Sequence, residues 1–333
     1  MKKSLIVLFL LFLSPLFFSF RATGKKQQAL KTIIVDAGHG IMPGGGHNGA
    51  KGSYSYEDEI CYDVAKELVA QLKAAYPNVR IIETRPTENI VSLYRRAEIA
   101  NENKGDLFIS IHVNAAPPTR HSELVGYKTV TTGKGKKKIT RKIPQYRYWT
   151  TPNPAKGTET YIWGAHKNED KEVAVRENAP MLQEEDYKEK YGDIDPNSPE
   201  FIALSLLKTK QFFKRSATLS GFVEEEFAKA GRTSRGQHQR QVGIWVLQAT
   251  AMPSVLVETG YITNREEEDY LNSKQGQEEI ARCITNAVGN YIKWLEQQQQ
   301  FGNSTQNNQP AKTRDARAFL EMVENKEKMR SSK

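Results

Sequence analysis

The chain has 333 residues but only two cysteines, Cys61 and Cys283. Two cysteines cannot make the disulfide framework of a small secreted domain. Both fall in stretches with helical spacing, so two small buried side chains are the favoured interpretation, and a single disulfide is the alternative. The sequence also lacks an internal repeat, which excludes a solenoid or a propeller.

A long apolar stretch is missing as well, except at the amino terminus. Met1-Lys2-Lys3 precede an apolar run from Leu5 to Phe20 that Pro15 interrupts, whereas a membrane helix needs about 20 apolar residues. A positive start and a short apolar core are typical of a secretory signal. We predict a signal peptide over residues 1–22, an exported protein of the periplasm or cell envelope, and no stable transmembrane segment after cleavage. An uncleaved anchor is the alternative.

Positive charge exceeds negative charge, with 48 Lys and Arg residues against 39 Asp and Glu residues. A formal net charge of +9 favours anionic partners. For an exported protein these are wall polymers or a membrane surface rather than nucleic acid. A basic segment, residues 134–147, either binds such a partner or forms a solvated loop.

Apolar strands and amphipathic helices alternate in the first part of the chain. The stretch from Glu57 to Tyr76, for example, has apolar residues along one face at helical spacing. A strand-helix-strand-helix-strand order produces a mostly parallel sheet. The predicted fold class is therefore α/β, a mostly parallel twisted sheet with helices on both faces. The predicted elements are strand 33–36, helix 57–76, strand 79–85, helix 93–103 and strand 106–112.

The alternation of strands and helices ends at about residue 117 and resumes near residue 200. The insert, about 117–200, is basic at first, rejoins the sheet through a strand at 158–163, and is then partly helical and rich in glutamate. We expect one catalytic domain over residues 31–296 that carries this insert as a regulatory segment. A low-complexity linker and tail follow over 297–333. The later predicted elements are helix 199–229, strands 244–248 and 254–258, and helix 275–296.

Three predicted strands end in side chains that suit a hydrolytic site. His39 follows the first strand in a glycine-flanked turn, His112 ends the third, and Glu258 ends a strand much later in the chain. Ligands sit at the carboxyl ends of strands in open α/β sheets, and a catalytic zinc takes three protein ligands plus a water. The pattern favours a metal-assisted hydrolase in which Glu57 or Glu59 is the third ligand and Glu258 is the general base.

Several motifs across the chain carry a family resemblance. They are Ile34-Val35-Asp36-Ala37-Gly38-His39-Gly40, Glu57, Arg85, Ser92-Leu93, Arg95-Arg96, Ile99-Ala100-Asn101, Asp106-Leu107-Phe108-Ile109-Ser110-Ile111-His112-Val113-Asn114-Ala115 and Met252-Pro253-Ser254-Val255-Leu256-Val257-Glu258-Thr259-Gly260-Tyr261-Ile262-Thr263-Asn264. In order and at fitting spacing over residues 31–116 and about 201–296, they resemble the zinc-dependent N-acetylmuramoyl-L-alanine amidases (type 3). Thr259 stands where this family commonly has Leu or Ala.

The resemblance implies one zinc ion per chain, held by His39, Glu57 and His112, and it favours Glu57 over Glu59. It also implies Glu258 as the catalytic carboxylate. The expected reaction is hydrolysis of the amide between N-acetylmuramic acid and L-alanine of peptidoglycan, in cell-wall turnover and daughter-cell separation.

Two further residues are candidate substrate contacts. Asn114 belongs to the motif around the second histidine, and Arg235 opens the arginine-rich segment 235–240. Arginine side chains there suit the carboxylates of a peptide stem, and an ordinary exposed charged loop is the alternative for this segment.

The insert carries a regulatory hypothesis. Some cell-separation amidases of this family have an inserted helix that covers the zinc and supplies an extra carboxylate until a partner removes it. The glutamate-rich stretch 177–191 lies in the corresponding part of this chain. The resemblance therefore makes Glu184 and Glu185 candidate autoinhibitory residues and implies an activator protein of the division machinery. A solvated surface helix is the alternative.

Two other functions stay open at this stage. A catalytically inactive peptidoglycan-binding or divisome-regulating protein would usually have lost at least one of the four site residues, and all four are present. A zinc peptidase that acts on another amide would use the same chemistry, and the family resemblance alone disfavours it.

Overall fold

The structure of the chain is a computed structural model that describes residues 29–133, 135–163, 199–240 and 244–307. The predicted signal peptide, the glutamate-rich stretch 177–191 and the tail beyond residue 307 lie outside the described residues. Within the described ranges, no helix is both long enough and apolar enough to cross a membrane.

Eight strands and six α-helices make up these ranges. The strands are β1 (Thr32–Ala37), β2 (Arg80–Glu83), β3 (Leu107–Asn114), β4 (Thr119–Thr132), β5 (Ile139–Thr151), β6 (Thr158–Trp163), β7 (Ser234–Arg240) and β8 (Ser254–Tyr261). The helices are α1 (Glu57–Ala75), α2 (Leu93–Glu102), α3 (Pro199–Lys229), α4 (Trp245–Ala249), α5 (Arg265–Leu271) and α6 (Lys274–Asn307).

A six-stranded sheet lies at the centre, in the order β2-β1-β3-β8-β6-β7. Its neighbouring strands are parallel, except that β6 runs antiparallel to β8. The mostly parallel α/β sheet predicted from the sequence is therefore confirmed.

Helices cover both faces of this sheet because its central strands are apolar on both sides. Ile33 and Val35 of β1 point to the larger core, which α1, α3 and α6 complete. Ile34, between them in sequence, packs on the opposite face in the smaller core with residues of α2 and α4. Burying both faces removes the central strands from water and fixes where their carboxyl ends lie.

The two cysteines are buried thiols in the larger core. Burial raises the pKa of Cys283 to about 11, so this thiol stays protonated at neutral pH. The interpretation as small buried side chains is confirmed, and the alternative of a disulfide is wrong.

The strand predicted at residues 244–248 is wrong, because this segment belongs to the short helix α4. A run of four apolar residues does not distinguish a buried strand from one turn of buried helix by periodicity. The edge of the central sheet next to β6 is formed instead by β7, which pairs with β6 in parallel. The predicted loop at residues 235–240 is therefore also wrong, since an edge strand can form from backbone pairing without an apolar face.

Two predictions about the less patterned segments need correction. Residues 119–151 form an antiparallel hairpin of β4 and β5, a two-stranded sheet separate from the central one. The alternative of a solvated loop over residues 134–147 is wrong from Ile139 onward, where β5 begins. Helix α6 runs to Asn307, beyond the predicted helix end at residue 296.

Candidate active site

The turn after β1 presents His39 on a strained backbone. Its φ of 58° lies in the left-handed region that few residues other than glycine adopt. Two arginines that are each 1% exposed hold this turn. Arg85 donates to the carbonyl oxygens of Ala37 and Gly38, each at 3.1 Å. Arg96 donates to the carbonyl oxygen of His39, so buried guanidinium groups keep the strained conformation in place.

A buried carboxylate fixes one of these arginines. Asp36 is 1% exposed and forms an ion pair with Arg96 at 3.1 Å. It also accepts hydrogen bonds from the hydroxyls of Ser110, at 2.6 Å, and Thr84. Burial raises the pKa of Asp36, but Arg96 and the two hydroxyls lower it by more, so it lies below the ordinary value. The ionised carboxylate therefore orients the guanidinium that holds the histidine turn.

Glu57, the first residue of α1, is completely buried. Its Oε2 atom accepts a hydrogen bond from the backbone N–H of Ala50 at 2.7 Å, and its Oε1 atom accepts one from Val113 at 3.0 Å. Glu59, the alternative ligand, has a side chain that is 50% exposed and lies 3.9 Å from His47. The geometry therefore brings Glu57, and not Glu59, into the site.

The loop before α1 is held from far along the chain. Glu268 of α5 accepts hydrogen bonds from the backbone N–H groups of Tyr54, at 2.9 Å, and Ser55, at 3.1 Å. The Ser55 hydroxyl donates to the same oxygen at 2.9 Å. Because this loop leads directly into Glu57, α5 sets where the helix begins.

Three side chains bring donor atoms to one point. His39 Nε2 lies 3.1 Å from Glu57 Oε1, and His112 Nδ1 lies 3.3 Å from the same oxygen. The donor atoms of all three residues lie within 4.8 Å of one another. Asn48 Oδ1 accepts a hydrogen bond from His39 Nδ1 at 2.8 Å, which leaves the Nε2 lone pair of His39 facing this cluster.

Two glycines permit this close packing. A Cβ atom at Gly38 would lie 2.5 Å from Cε1 of His112. A Cβ atom at Gly49 would lie 2.8 Å from Cγ of His39 and 2.9 Å from Oε2 of Glu57. Such contacts are far inside van der Waals distance, so any larger residue at either position would displace a donor side chain.

Glu258 of β8 is the register partner of His112 in β3. Paired residues of neighbouring strands point to the same face, so the Glu258 carboxyl group shares a face with the histidine. On its other side, β6 places Glu159 opposite Glu258. Sequence reasoning missed Glu159. A charged residue in the middle of the strand at 158–163, at a position the fold must bury, was the signal that could have found it.

Both predicted substrate contacts converge on Glu159. Asn114, which is 3% exposed, donates to its Oε2 atom at 3.2 Å, and Arg235 forms an ion pair with Oε1. The hydroxyls of Tyr261, at 2.6 Å, and Tyr161 also donate to this carboxylate. Burial raises the pKa of Glu159, but the tyrosines and the arginine lower it by more, so an ionised carboxylate lies beside Glu258. The Arg235 side chain is 44% exposed and extends this cluster to the surface.

The site is nearly closed to solvent. The exposed fractions are 4% for His39, 0% for Glu57, 6% for His112 and 0% for Glu258. Helix α4 and the loop before α2 line a small cavity beside the two histidines. Glu184 and Glu185, the candidate autoinhibitory residues, lie outside the described residues.

A buried His-Glu-His donor set, with two histidines from parallel strand ends, a glutamate from a helix start and a carboxylate on the adjacent strand, is the kind of site that metal-assisted hydrolases use. Comparison with known proteins identifies the family. The family profile Amidase_3, described as N-acetylmuramoyl-L-alanine amidase, matches residues 33–290. The chain belongs to this family, whose members hydrolyse the amide between N-acetylmuramic acid and L-alanine in peptidoglycan.

Named relatives agree with this assignment. The N-acetylmuramoyl-L-alanine amidase AmiA of Escherichia coli K12 is 27% identical over 279 residues, which cover 82% of this chain and 80% of that protein. The probable amidase AmiB of Haemophilus influenzae is 28% identical over 282 residues, covering 84% of this chain and 54% of that protein. The solved CwlD amidase from Clostridioides difficile, in complex with the GerS lipoprotein, has a TM-score of 0.50 at 20% identity. That comparison covers 79% of this chain and 98% of CwlD, and it supports the fold.

Proposed function

We propose that this chain is a zinc-dependent peptidoglycan amidase in which His39, Glu57 and His112 hold one zinc ion and Glu258 is the catalytic carboxylate. The convergence of three buried donor atoms within 4.8 Å carries the proposal. Two imidazole nitrogens and a carboxylate oxygen are a common catalytic zinc set, with a fourth position left for water or substrate.

Two of the three donor distances match those around a tetrahedral zinc. With ligand bonds of about 2.0–2.1 Å, two donors of a tetrahedral ion lie about 3.3 Å apart. The Glu57 oxygen lies 3.1 Å and 3.3 Å from the two histidine nitrogens. Asn48 supports the set because it fixes the tautomer of His39. The backbone N–H groups of Ala50 and Val113 hold the Glu57 carboxylate in a single orientation.

In the proposed mechanism, Glu258 moves the proton of the reaction. A bound zinc supplies Lewis-acid polarisation of the amide carbonyl and makes water more acidic. Glu258 accepts a proton from the attacking water, whose oxygen forms a bond to the lactyl carbonyl carbon of N-acetylmuramic acid. The carbon–nitrogen bond then breaks, and Glu258 returns the proton to the amine of L-alanine. The products are a lactyl carboxylic acid and a peptide with a free amino end.

Substrate access requires a rearrangement, because Glu57 and Glu258 are completely buried. We propose that residues 177–191 keep the enzyme inactive, with Glu184 or Glu185 at the zinc, until an activator of the division machinery displaces them. This regulation suits an exported enzyme of daughter-cell separation. Deletion of residues 180–195 should then raise activity on purified peptidoglycan. Unchanged or lower activity, in a deletion variant that still folds and binds zinc, would contradict the autoinhibition.

Metal content and product analysis together test the proposed function. The mature protein, beginning at about residue 25, is assayed for zinc and incubated with purified peptidoglycan, and the products are identified by mass. One zinc per chain is expected, together with release of intact peptides that begin with L-alanine, most strongly from the variant that lacks residues 180–195. Glu258→Gln should keep the zinc while losing turnover by about 100-fold or more. Protein without zinc and without cleavage, for wild type and for the deletion variant, would instead indicate a peptidoglycan-binding protein.

A further inference from the structure

The hairpin of β4 and β5, residues 119–151, carries almost the entire net charge of the protein. It contains nine Lys and Arg residues but a single Glu, which gives +8 of the total of +9. All residues outside the hairpin together sum to only +1. Charge concentrated on one protruding element produces a local field that attracts anions to that element rather than to the protein as a whole.

The same hairpin also carries most of the exposed apolar surface. Among the described residues, nine large hydrophobic side chains are exposed, and eight of them lie on β4 or β5. The hairpin contributes no residue to either hydrophobic core. Charged side chains alone would protect its edges from pairing with other chains, but that role does not account for exposed aromatic residues, which favour a binding surface.

The strand register groups the aromatic residues on the two faces of the hairpin. Leu124 pairs with Tyr146, and Ser122 pairs with Tyr148, so these tyrosines share one face. Their rings lie 6.1 Å apart, and Tyr148 is 75% exposed. Tyr127, 62% exposed, extends the same face towards the tip through its pairing with Pro144. We call these three tyrosines the tyrosine face.

The opposite face holds a preorganised tryptophan. Trp149 stacks on His121 with ring centroids 5.3 Å apart, and the Arg147 guanidinium lies 5.8 Å from the Trp149 ring. Arg147 is itself held by Glu123 at 2.6 Å. Fixed aromatic rings beside cations can bind a ligand at a small cost in conformational entropy.

The hairpin begins and ends at the candidate active site. It leaves the sheet after β3, the strand of His112, and returns to it through β6, the strand that places Glu159 beside Glu258. The side chain of Asn153 donates to the carbonyl oxygen of Pro117 at 3.0 Å and closes the base. Thirteen paired residues extend about 40 Å, so a polymer bound along the hairpin would also reach the site.

We propose that this hairpin is a binding arm for polymeric peptidoglycan, in which the aromatic faces bind sugar rings and the basic residues bind the carboxylates of the peptide stems. This inference rests on the proposed function, because it assigns the arm to the substrate of the same site. Aromatic rings match the apolar faces of sugars. Lys and Arg match carboxylates. A hairpin with basic residues alone, or with aromatic rings alone, would fit this polymer less well.

Co-sedimentation of the full chain with isolated peptidoglycan sacculi tests the arm. Two variants weaken the arm in different ways. The aromatic variant, Tyr146→Ala/Tyr148→Ala, removes two rings of the tyrosine face. The charge variant, Lys137→Gln/Lys138→Gln/Lys142→Gln, removes three cations at and near the turn between β4 and β5. Each should weaken binding to sacculi about tenfold. The charge variant should also reduce the salt dependence of binding. Lys31→Gln/Lys73→Gln/Lys293→Gln removes the same charge from exposed positions outside the hairpin and should bind like wild type.

Two further measurements separate the possible outcomes. Hydrolysis of a soluble N-acetylmuramoyl-peptide, measured in chains that lack residues 180–195, should be equal with and without the hairpin substitutions, because the fragment does not span the arm. Equal sacculus binding by all proteins would overturn the arm, and so would hairpin-dependent binding that occurs only on vesicles containing phosphatidylglycerol. The hairpin variants could lose sacculus binding while no protein hydrolyses the fragment, including the chain that lacks residues 180–195. That result would support the arm and refute the amidase.

Discussion

Replacing Gly38 with alanine tests whether zinc binding depends on the packing of His112 against the turn after β1. The added Cβ would lie 2.5 Å from Cε1 and 2.6 Å from Nε2 of the His112 ring. Gly38 is outside the left-handed backbone region, so alanine meets no conformational penalty there. In the folded state, the effect of the substitution is therefore steric.

The size of the effect follows from these distances. An ordinary contact begins at 3.4 Å, so the ring or the turn must move by about 0.9 Å. Metal–ligand distances tolerate deviations of only about 0.2 Å. The turn itself cannot move easily, because Arg85 and Arg96 hold its carbonyl groups. We therefore expect His112 to move, zinc affinity to fall about 10–100-fold, and the free energy of unfolding to fall by about 1–3 kcal/mol.

Zinc affinity is measured by competition with a chromophoric chelator, and stability by urea denaturation of the metal-free protein. Gly46→Ala is the matched control, because a Cβ there has no heavy atom within 4 Å and Gly46 lies in the loop that follows the same turn. This control should bind zinc like wild type. If Gly38→Ala kept wild-type zinc affinity in a folded protein, the assignment of His112 as a ligand in this geometry would be refuted.

Three more predictions concern the surroundings of the site. Asn48→Ala frees the Nδ1 atom of His39 and should lower zinc affinity about 10–100-fold in the same competition assay, with little change in the melting temperature of the metal-free protein. Ser110→Ala removes a hydrogen bond to Asp36 and should reduce the free energy of unfolding at pH 7 by about 1.5–3 kcal/mol in urea titrations. Because the folded pKa of Asp36 is depressed, its stabilisation is present above the unfolded pKa of about 3.9 and is lost as the pH falls. The difference between this variant and wild type should therefore narrow below about pH 4, and a constant difference would contradict the role of Asp36. A thiol reagent should titrate both cysteines in denaturant and neither in the native protein, whereas a disulfide would leave no reactive thiol in denaturant.

The two histidines were predictable because the hydrophobic effect places the strands that precede them. Continuous apolar runs before His39 and in β3 can only be buried on both faces, which brings their carboxyl ends to one edge of a parallel sheet. Glu57 was not predictable in this way. Its position depends on a loop that Glu268 holds from a distant helix, and the choice between Glu57 and Glu59 came from the family resemblance.

The errors share a physical cause, since each concerns backbone that forms without an apolar stripe of its own. Strand β7 is polar and gains its place by pairing with β6. The hairpin has no buried face, so its alternating basic and aromatic residues give no signal of a core-facing strand. Glu159 was missed for a related reason, because its buried charge is stabilised by Tyr261 and Arg235, which follow it much later in the sequence.

The hairpin also affects how this enzyme can evolve. Thr119 and Thr151 are cross-strand partners, so the points where the chain departs and returns lie only about 5 Å apart. A segment with such adjacent ends can be gained, lengthened or lost through one insertion or deletion without moving β3 or β6. Selection on the hairpin is therefore largely independent of selection on the buried site. Related bacteria with different cell walls could exchange one arm for another around an unchanged catalytic centre.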